Sequence, residues 1–252
     1  TNSFDAVAVT LGVTGEAAAV RLGEGDGLAW SPDGARIAAG AAIYTATTGA
    51  LWRTFEEASN PPGSLRAPAW SPDGSRLAWL RAAAESRLTL SDGESAKTIT
   101  VGPDLGCWYD FADCAPAWSA DGGRIVVEVG ATPDLFSIKP DGTDFRRLTD
   151  APGFDGHPAW SPDGTRILFE SNRGGHRGIW VMNADGTDQH ELVPGDGSAG
   201  FAAWSPDGSR LAFASDREGT WRIYVANGDG SDARRVSDGP GGDWAPGWTP
   251  DG

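Results

Sequence analysis

The sequence predicts an all-β fold: a six-bladed β-propeller of four-stranded antiparallel blades, its ring closed by pairing the N- and C-terminal strands in one split blade. Three observations predict it. A short motif recurs six times, at Trp30-Ser-Pro-Asp-Gly34, Trp70-Ser-Pro-Asp-Gly74, Trp118-Ser-Ala-Asp-Gly122, Trp160-Ser-Pro-Asp-Gly164, Trp204-Ser-Pro-Asp-Gly208 and Trp248-Thr-Pro-Asp-Gly252. Successive copies are 40, 48, 42, 44 and 44 residues apart, the period of a supersecondary unit repeated about an axis. Composition agrees, since 36 glycines and 17 prolines among 252 residues are turn-rich and twelve tryptophans supply bulk for a packed core.

Each element of the unit has a local cause. Ser-Pro-Asp-Gly is turn chemistry: proline presets φ, aspartate suits the next position, and glycine accepts the left-handed residue that closes a hairpin. The segment after the turn is a short apolar run, as in Arg124-Ile-Val-Val127, Arg166-Ile-Leu-Phe169 and Arg210-Leu-Ala-Phe213, typical of a strand covered on both faces. A third strand follows in Asp134–Ile138, Gly178–Met182 and Arg222–Val225, and ends in a second turn such as Asn183-Ala-Asp-Gly186. A fourth is visible in Phe145–Thr149 and Ala233–Ser237. Aligned on this unit, Ser3–Leu11 and Glu16–Gly23 are strands three and four of the split blade, and Trp244–Trp248 is its first. Its second strand has no counterpart, so the reading is a single domain over 1–252 that continues past Gly252, a three-stranded blade being the alternative.

The string from Pro158 to Arg173, with Ile179 to Gly186 after it, resembles the WD40-like repeat of TolB-type propellers, and the resemblance covers essentially the whole chain. It implies radial blades whose first strands line a central channel. It does not imply one function, because such propellers serve as binding platforms, gating domains and enzyme scaffolds. The oligogalacturonide lyases on related propellers use several metal-binding histidines, whereas this chain has only His157, His176 and His190.

The charge balance narrows the partners. With 35 acidic against 20 basic residues the net charge is −15, which disfavours nucleic acid and anionic membrane surfaces as partners. No apolar run approaches the ~20 residues of a membrane helix. Cys107 and Cys114 have the wrong spacing for a CxxC motif. They fit a disulfide closing a short loop, and hence a secreted or periplasmic bacterial protein, with two unpaired thiols as the alternative.

Most repeated residues read as structural. The motif tryptophans pack between blades, the motif aspartates belong to their turns, and Arg36, Arg76, Arg124, Arg166 and Arg210 pair with nearby turn carboxylates or carbonyls. Asp141-Gly-Thr-Asp144 and the Asn183–Asp188 segment read as ordinary turns in place of calcium loops, which need further ligands. Function is expected where the repeat breaks, just before each motif tryptophan. There Asp113, Asp155, His157, Asp243 and Trp244 are expected to converge at the channel mouth, with Arg66 and Phe201 on its rim and a solvated acidic rim as the alternative. Asp155 and His157 are the candidate ligands of a divalent cation, calcium or a transition metal. The Gly102–Ala115 insertion adds Trp108 and Tyr109 on the cysteine-closed loop as a contact surface, or as a small local core.

These observations predict a monomeric binding module for a protein or glycan, with no catalytic residue assigned: there is no G-x-S-x-G elbow. The alternatives are a metal-assisted hydrolase or lyase at the same mouth, and a non-catalytic spacer domain of a larger protein.

Overall fold

The computed structural model describes residues 5–11, 17–24, 28–39, 42–54, 68–81, 86–92, 95–102, 115–249 and 252. It is all-β. Five four-stranded antiparallel blades follow one another: β3 to β6 (Leu28–Trp30, Arg36–Ala39, Ala42–Thr45, Leu51–Thr54), β7 to β10 (Ala69–Trp70, Leu77–Arg81, Ser86–Ser91, Ala96–Gly102), β11 to β14 (Ala117–Trp118, Ile125–Val129, Asp134–Ile138, Arg146–Arg147), β15 to β18 (Asp155–Trp160, Arg166–Ser171, Gly178–Asn183, His190–Glu191) and β19 to β22 (Ala199–Trp204, Arg210–Ser215, Arg222–Asn227, Arg234–Arg235). The chain divides into two compact units, Thr1–Trp118 with Val129–Ala131 and Ser119–Glu128 with Thr132–Gly252.

Among the described residues there are five blades, and the expected sixth is not formed. Among the described residues β1 (Asp5–Leu11) and β2 (Ala17–Glu24) pair only with each other, in a separate two-stranded sheet. The described residues between Asp243 and Thr249 carry no strand, so the split-blade closure is also absent. Among the described residues the segment has no ladder partner, and Pro246 offers no backbone donor. Bonds from both of its ends tie the segment to the last blade. Asp243 N–H donates to Trp221 O at 3.1 Å, and Trp248 Nε1–H donates to Ala203 O at 3.1 Å.

The motif turn is built alike in all five blades. At the first, Gly34 N–H donates to Ser31 O at 2.8 Å, Ser31 Oγ–H to Asp33 Oδ1 at 2.5 Å, and Arg36 N–H back to Ser31 Oγ at 2.9 Å. Gly34 has φ +67, which a side chain would resist. The serine hydroxyl, followed by a backbone N–H, holds the carboxyls of Asp73, Asp163 and Asp207 down at about 2. These aspartates are structural. The second turns are similar: Asp141 and Asp185 accept both the N–H and the hydroxyl of Thr143 and Thr187.

Blades are clasped through the motif tryptophan. Trp70 Nε1–H donates to Ala29 O at 3.1 Å and Trp118 Nε1–H to Ala69 O at 3.2 Å, each acceptor being the residue before the preceding motif tryptophan. Trp204 is the exception, its Nε1 being buried without an acceptor. The motif arginine of the preceding blade covers the ring: Arg36 lies 4.9 Å from the Trp70 centroid, Arg76 5.1 Å from Trp118 and Arg166 4.8 Å from Trp204. The second strands are the most buried elements. Every residue of Ile125–Val129 is buried, and Phe169 and Phe213 are among the largest fully buried side chains.

Candidate functional site

Within the second unit, a chain of buried ion pairs supports a row of aromatic rings. It begins where the first strands bulge. His157 and Phe201, each three residues before a motif tryptophan, have left-handed backbone at φ 51 and 56. The ladder register shifts at the same points, between Gly156 and Ala159 and between Gly200 and Ala203. A bulge turns one N–H out of the ladder, and a carboxylate from the preceding blade takes it. Glu128 Oε1 accepts from His157 N–H at 2.7 Å, and Glu170 Oε1 accepts from Phe201 N–H at 2.6 Å. Both glutamates lie in second strands and are 1% exposed.

This device also decides the residue before the bulge. A Cβ on Gly156 would stand 2.5 Å from the Phe154 ring and 2.9 Å from Glu128 Oε2, and one on Gly200 2.8 Å from Glu170 Oε1, so each position favours glycine. In the last blade the corresponding second-strand residue is Ala214. In the segment after that blade Trp244 precedes Ala245, which shares the left-handed backbone at φ 50.

Glu170 serves three donors. Its Oε2 accepts from Arg177 Nε and lies 3.1 Å from His157 Nδ1. Burial works against charge on the His157 ring, but the hydrogen bond and charge of Glu170, with Glu128 behind it, prevail and push the imidazole up to about 9. Burial likewise opposes charge on Glu170, and His157 and Arg177 together hold its carboxyl below the usual range.

Above these pairs the rings form a row. Phe154 lies 5.7 Å from His157, His157 6.0 Å from Phe201, Phe201 6.1 Å edge-on from Trp244, and Trp244 stacks 4.4 Å from Trp221. The Arg177 guanidinium sits 4.9 Å over Phe201. Trp244 remains 51% exposed.

The repeated motif turn and the antiparallel blades find their match in a family profile described as the TolB beta propeller domain, which aligns with residues 64–198, more than half of the chain. The chain belongs to the TolB beta propeller domain family. A search of the curated proteins gave no match. Among solved structures, a putative TolB from Agrobacterium tumefaciens is 21% identical with a TM-score of 0.65, covering 93% of this chain and 91% of that one. TolB from Acinetobacter baumannii is 19% identical with a TM-score of 0.62; the match covers 83% of this chain and about half, 51%, of that protein. An oligogalacturonate lyase in complex with manganese is 16% identical with a TM-score of 0.62 over 92% of this chain and 72% of its own. At these identities the likeness is one of fold.

On this TolB-type scaffold His157, Phe201 and Trp244 come together in the aromatic row. Asp155 and Asp243 stand at its base in separate pairs. Asp155 is fully buried, its Oδ2 accepting from Arg173 Nη2 at 2.6 Å. Asp243 Oδ2 accepts from Ser237 Oγ–H at 2.6 Å, with Arg222 Nη1 at 3.5 Å. The two candidate metal ligands thus engage different partners, Asp155 with Arg173 and His157 with Glu170. Among the described residues no group of three His, Cys, Asp or Glu is placed to hold a metal ion. Arg66, Trp108, Tyr109, Asp113, Cys107 and Cys114 lie outside the described residues.

The sequence reading passed over Glu128, Glu170, Arg173 and Arg177. The signal for the glutamates was present: each is a lone carboxylate inside an apolar second strand, and in each following blade a glycine stands four residues before the motif tryptophan.

Proposed function

We propose that the chain is a non-catalytic binding module, a set of WD40-like units that takes a protein or glycan ligand on the aromatic row. The observation that carries this reading is Trp244: half-exposed, stacked on Trp221 at 4.4 Å and met edge-on by Phe201. Rings held this way offer flat apolar area with little side-chain entropy left to lose, which suits the face of a sugar or an apolar side chain. The ion pairs beneath favour binding over catalysis. An imidazole held at about 9 is protonated at neutral pH, and with Glu170 against it has no free lone pair to act as a general base. The Cys107–Cys114 loop with Trp108 and Tyr109 is proposed as a second part of the contact surface. A secreted or periplasmic location accords with that expected disulfide and with membership of the TolB family.

The test is a glycan array and a peptide library probed with the full chain and with the Trp221→Ala/Trp244→Ala double variant. Ligands bound by the parent and lost by the double variant, with melting temperature unchanged within a few degrees, support the reading. Equal binding by both proteins overturns it.

A further inference from the structure

A second site centres on Arg217, in the turn between β20 and β21. The fourth and fifth blades build this turn alike. Arg173 and Arg217 each donate Nε–H to the serine two residues before, Ser171 at 2.9 Å and Ser215 at 3.1 Å. Each also lies over a pair of rings. Arg173 is 5.3 Å from the Phe169 centroid and 4.9 Å from that of Trp180; Arg217 is 5.4 Å from Phe213 and 5.0 Å from Tyr224.

The two arginines part at their tips. Arg173 Nη2 donates to Asp155 Oδ2 and Nη1 to Gln189 Oε1, both at 2.6 Å. Forty-four residues on, the corresponding positions are Ala199 and Ala233. Among the described residues Arg217 Nη1 and Nη2 accordingly have no acceptor. There is room beside them: a Cβ on Gly195 would find, beyond its chain neighbours, only the Arg217 guanidinium within 4 Å, with Nη1 at 3.9 Å.

A second donor under the same guanidinium is left over. Tyr224 stands where the fourth blade has Trp180; it is 2% exposed, and its hydroxyl is buried without a hydrogen-bond partner. Burial, and then the nearby Glu218 carboxylate, push the phenol above its ordinary value, so the hydroxyl keeps its proton. Glu218 does not take the place of Asp155: it is half-exposed, and its Oε2 accepts from Arg235 Nη1 at 2.8 Å. Asp216 is turned to the backbone, its Oδ1 accepting from Ser198 N–H at 2.6 Å.

We propose that Arg217 receives the carboxylate of a ligand in the place that Asp155 and Gln189 fill for Arg173. The repeat defines what is missing, two acceptor oxygens at the arginine tips, and a planar carboxylate offers two at once to the fork of a guanidinium. The Tyr224 hydroxyl is the third donor. Glu218 and Asp216 on either side, with the net charge of −15, weigh against a dianion such as phosphate, so the group carries a single negative charge. An acidic side chain of a polypeptide and a small organic acid share this chemistry.

The test follows the Arg217 Nε–H signal of the full chain in heteronuclear NMR, assigned by Arg217→Lys, with acetate, N-acetyl-aspartate methylamide and inorganic phosphate as probes at constant ionic strength. Both carboxylates are expected to shift the signal saturably in the millimolar range, and phosphate more weakly. Tighter binding of the aspartate derivative assigns the group to a polypeptide side chain, and equal binding to a small organic acid; either supports the site. Ala199→Asp restores the residue that the fourth blade has at this position, so it fills the place from within using a pair the fold already contains; it should weaken acetate roughly tenfold. Tyr224→Phe removes an unpartnered hydroxyl and leaves the ring in place; it should weaken acetate roughly threefold. No saturable shift at Arg217, tighter binding of phosphate than of acetate, or undiminished binding by either variant overturns the proposal. The aromatic-row ligands are read out through Trp221 and Trp244, so the two proposals fail separately.

Discussion

His157 Nδ1 lies 3.1 Å from Glu170 Oε2, and the same carboxylate reaches into the next blade to accept the N–H of Phe201. One buried acid therefore charges an imidazole, holds a guanidinium and anchors the bulge of its neighbour.

The pair makes stability depend on pH in a known direction. The imidazole is raised from 6.5 to about 9, so its contribution is full below pH 6.5 and is lost as pH climbs through 9. The shift corresponds to about 3 kcal/mol. Glu170 is lowered, so its contribution is present above about pH 4.5 and fades as pH falls below that. Urea midpoints should fall between pH 6.5 and 10 in the parent chain. In His157→Gln that slope should flatten; an unchanged slope would remove the assignment.

Gly200→Ala tests the close approach of Glu170. The added Cβ meets Oε1 at 2.8 Å and Cδ at 3.0 Å, and the carboxylate cannot retreat without releasing Arg177 or Phe201. A loss of about 1–3 kcal/mol is expected in chemical denaturation, the range of overpacked cores. Gly164→Ala meets open space and pays only for its φ of +70, about 1 kcal/mol.

The inter-blade clasp separates into two small parts. Trp70→Phe removes the indole donor to Ala29 O and should cost about 1 kcal/mol. Arg166→Ala uncovers the Trp204 ring and should cost about 0.5–2 kcal/mol. Denaturant midpoints of the two single variants measure both.

The turn aspartates should titrate far below an ordinary carboxyl. Side-chain carbon NMR of Asp163 is expected to give a midpoint at about 2, and Ser161→Ala, which removes the leading hydrogen bond, should move it toward 3.8. A midpoint already near 3.8 in the parent would show that the serine hydroxyl does not hold the turn.

Much of the fold was legible because its signals are local. Ser-Pro-Asp-Gly dictates a turn wherever it stands, and Ile167-Leu-Phe169 is apolar enough to be a covered strand in any context. The blade count failed because it was a sum over copies. The last motif, at Trp248, has the turn residues and lacks a partner strand among the described residues, and ladder pairing is a property of two segments together. The site was half legible for the same reason. His157, Phe201 and Trp244 stood out as irregular residues on a regular frame. Glu170 did not, because its partners are 13 residues before it in His157, 7 after it in Arg177 and 31 after it in Phe201, and no spacing rule links them. Arg124 and Arg166 occupy the same place in the repeat; Arg166 covers Trp204, whereas Arg124 pairs with Asp144, twenty residues on.

Glu128 with Gly156 and Glu170 with Gly200 couple sites on successive blades, while Ala214 of the last blade has Trp244 as its counterpart in the segment that follows. A large side chain at that position is open only to a blade whose predecessor has given up its acid, so neither member can be exchanged alone. Any redesign that seeks to enlarge the aromatic surface must therefore alter two blades at once, trading an internal anchor for outward reach.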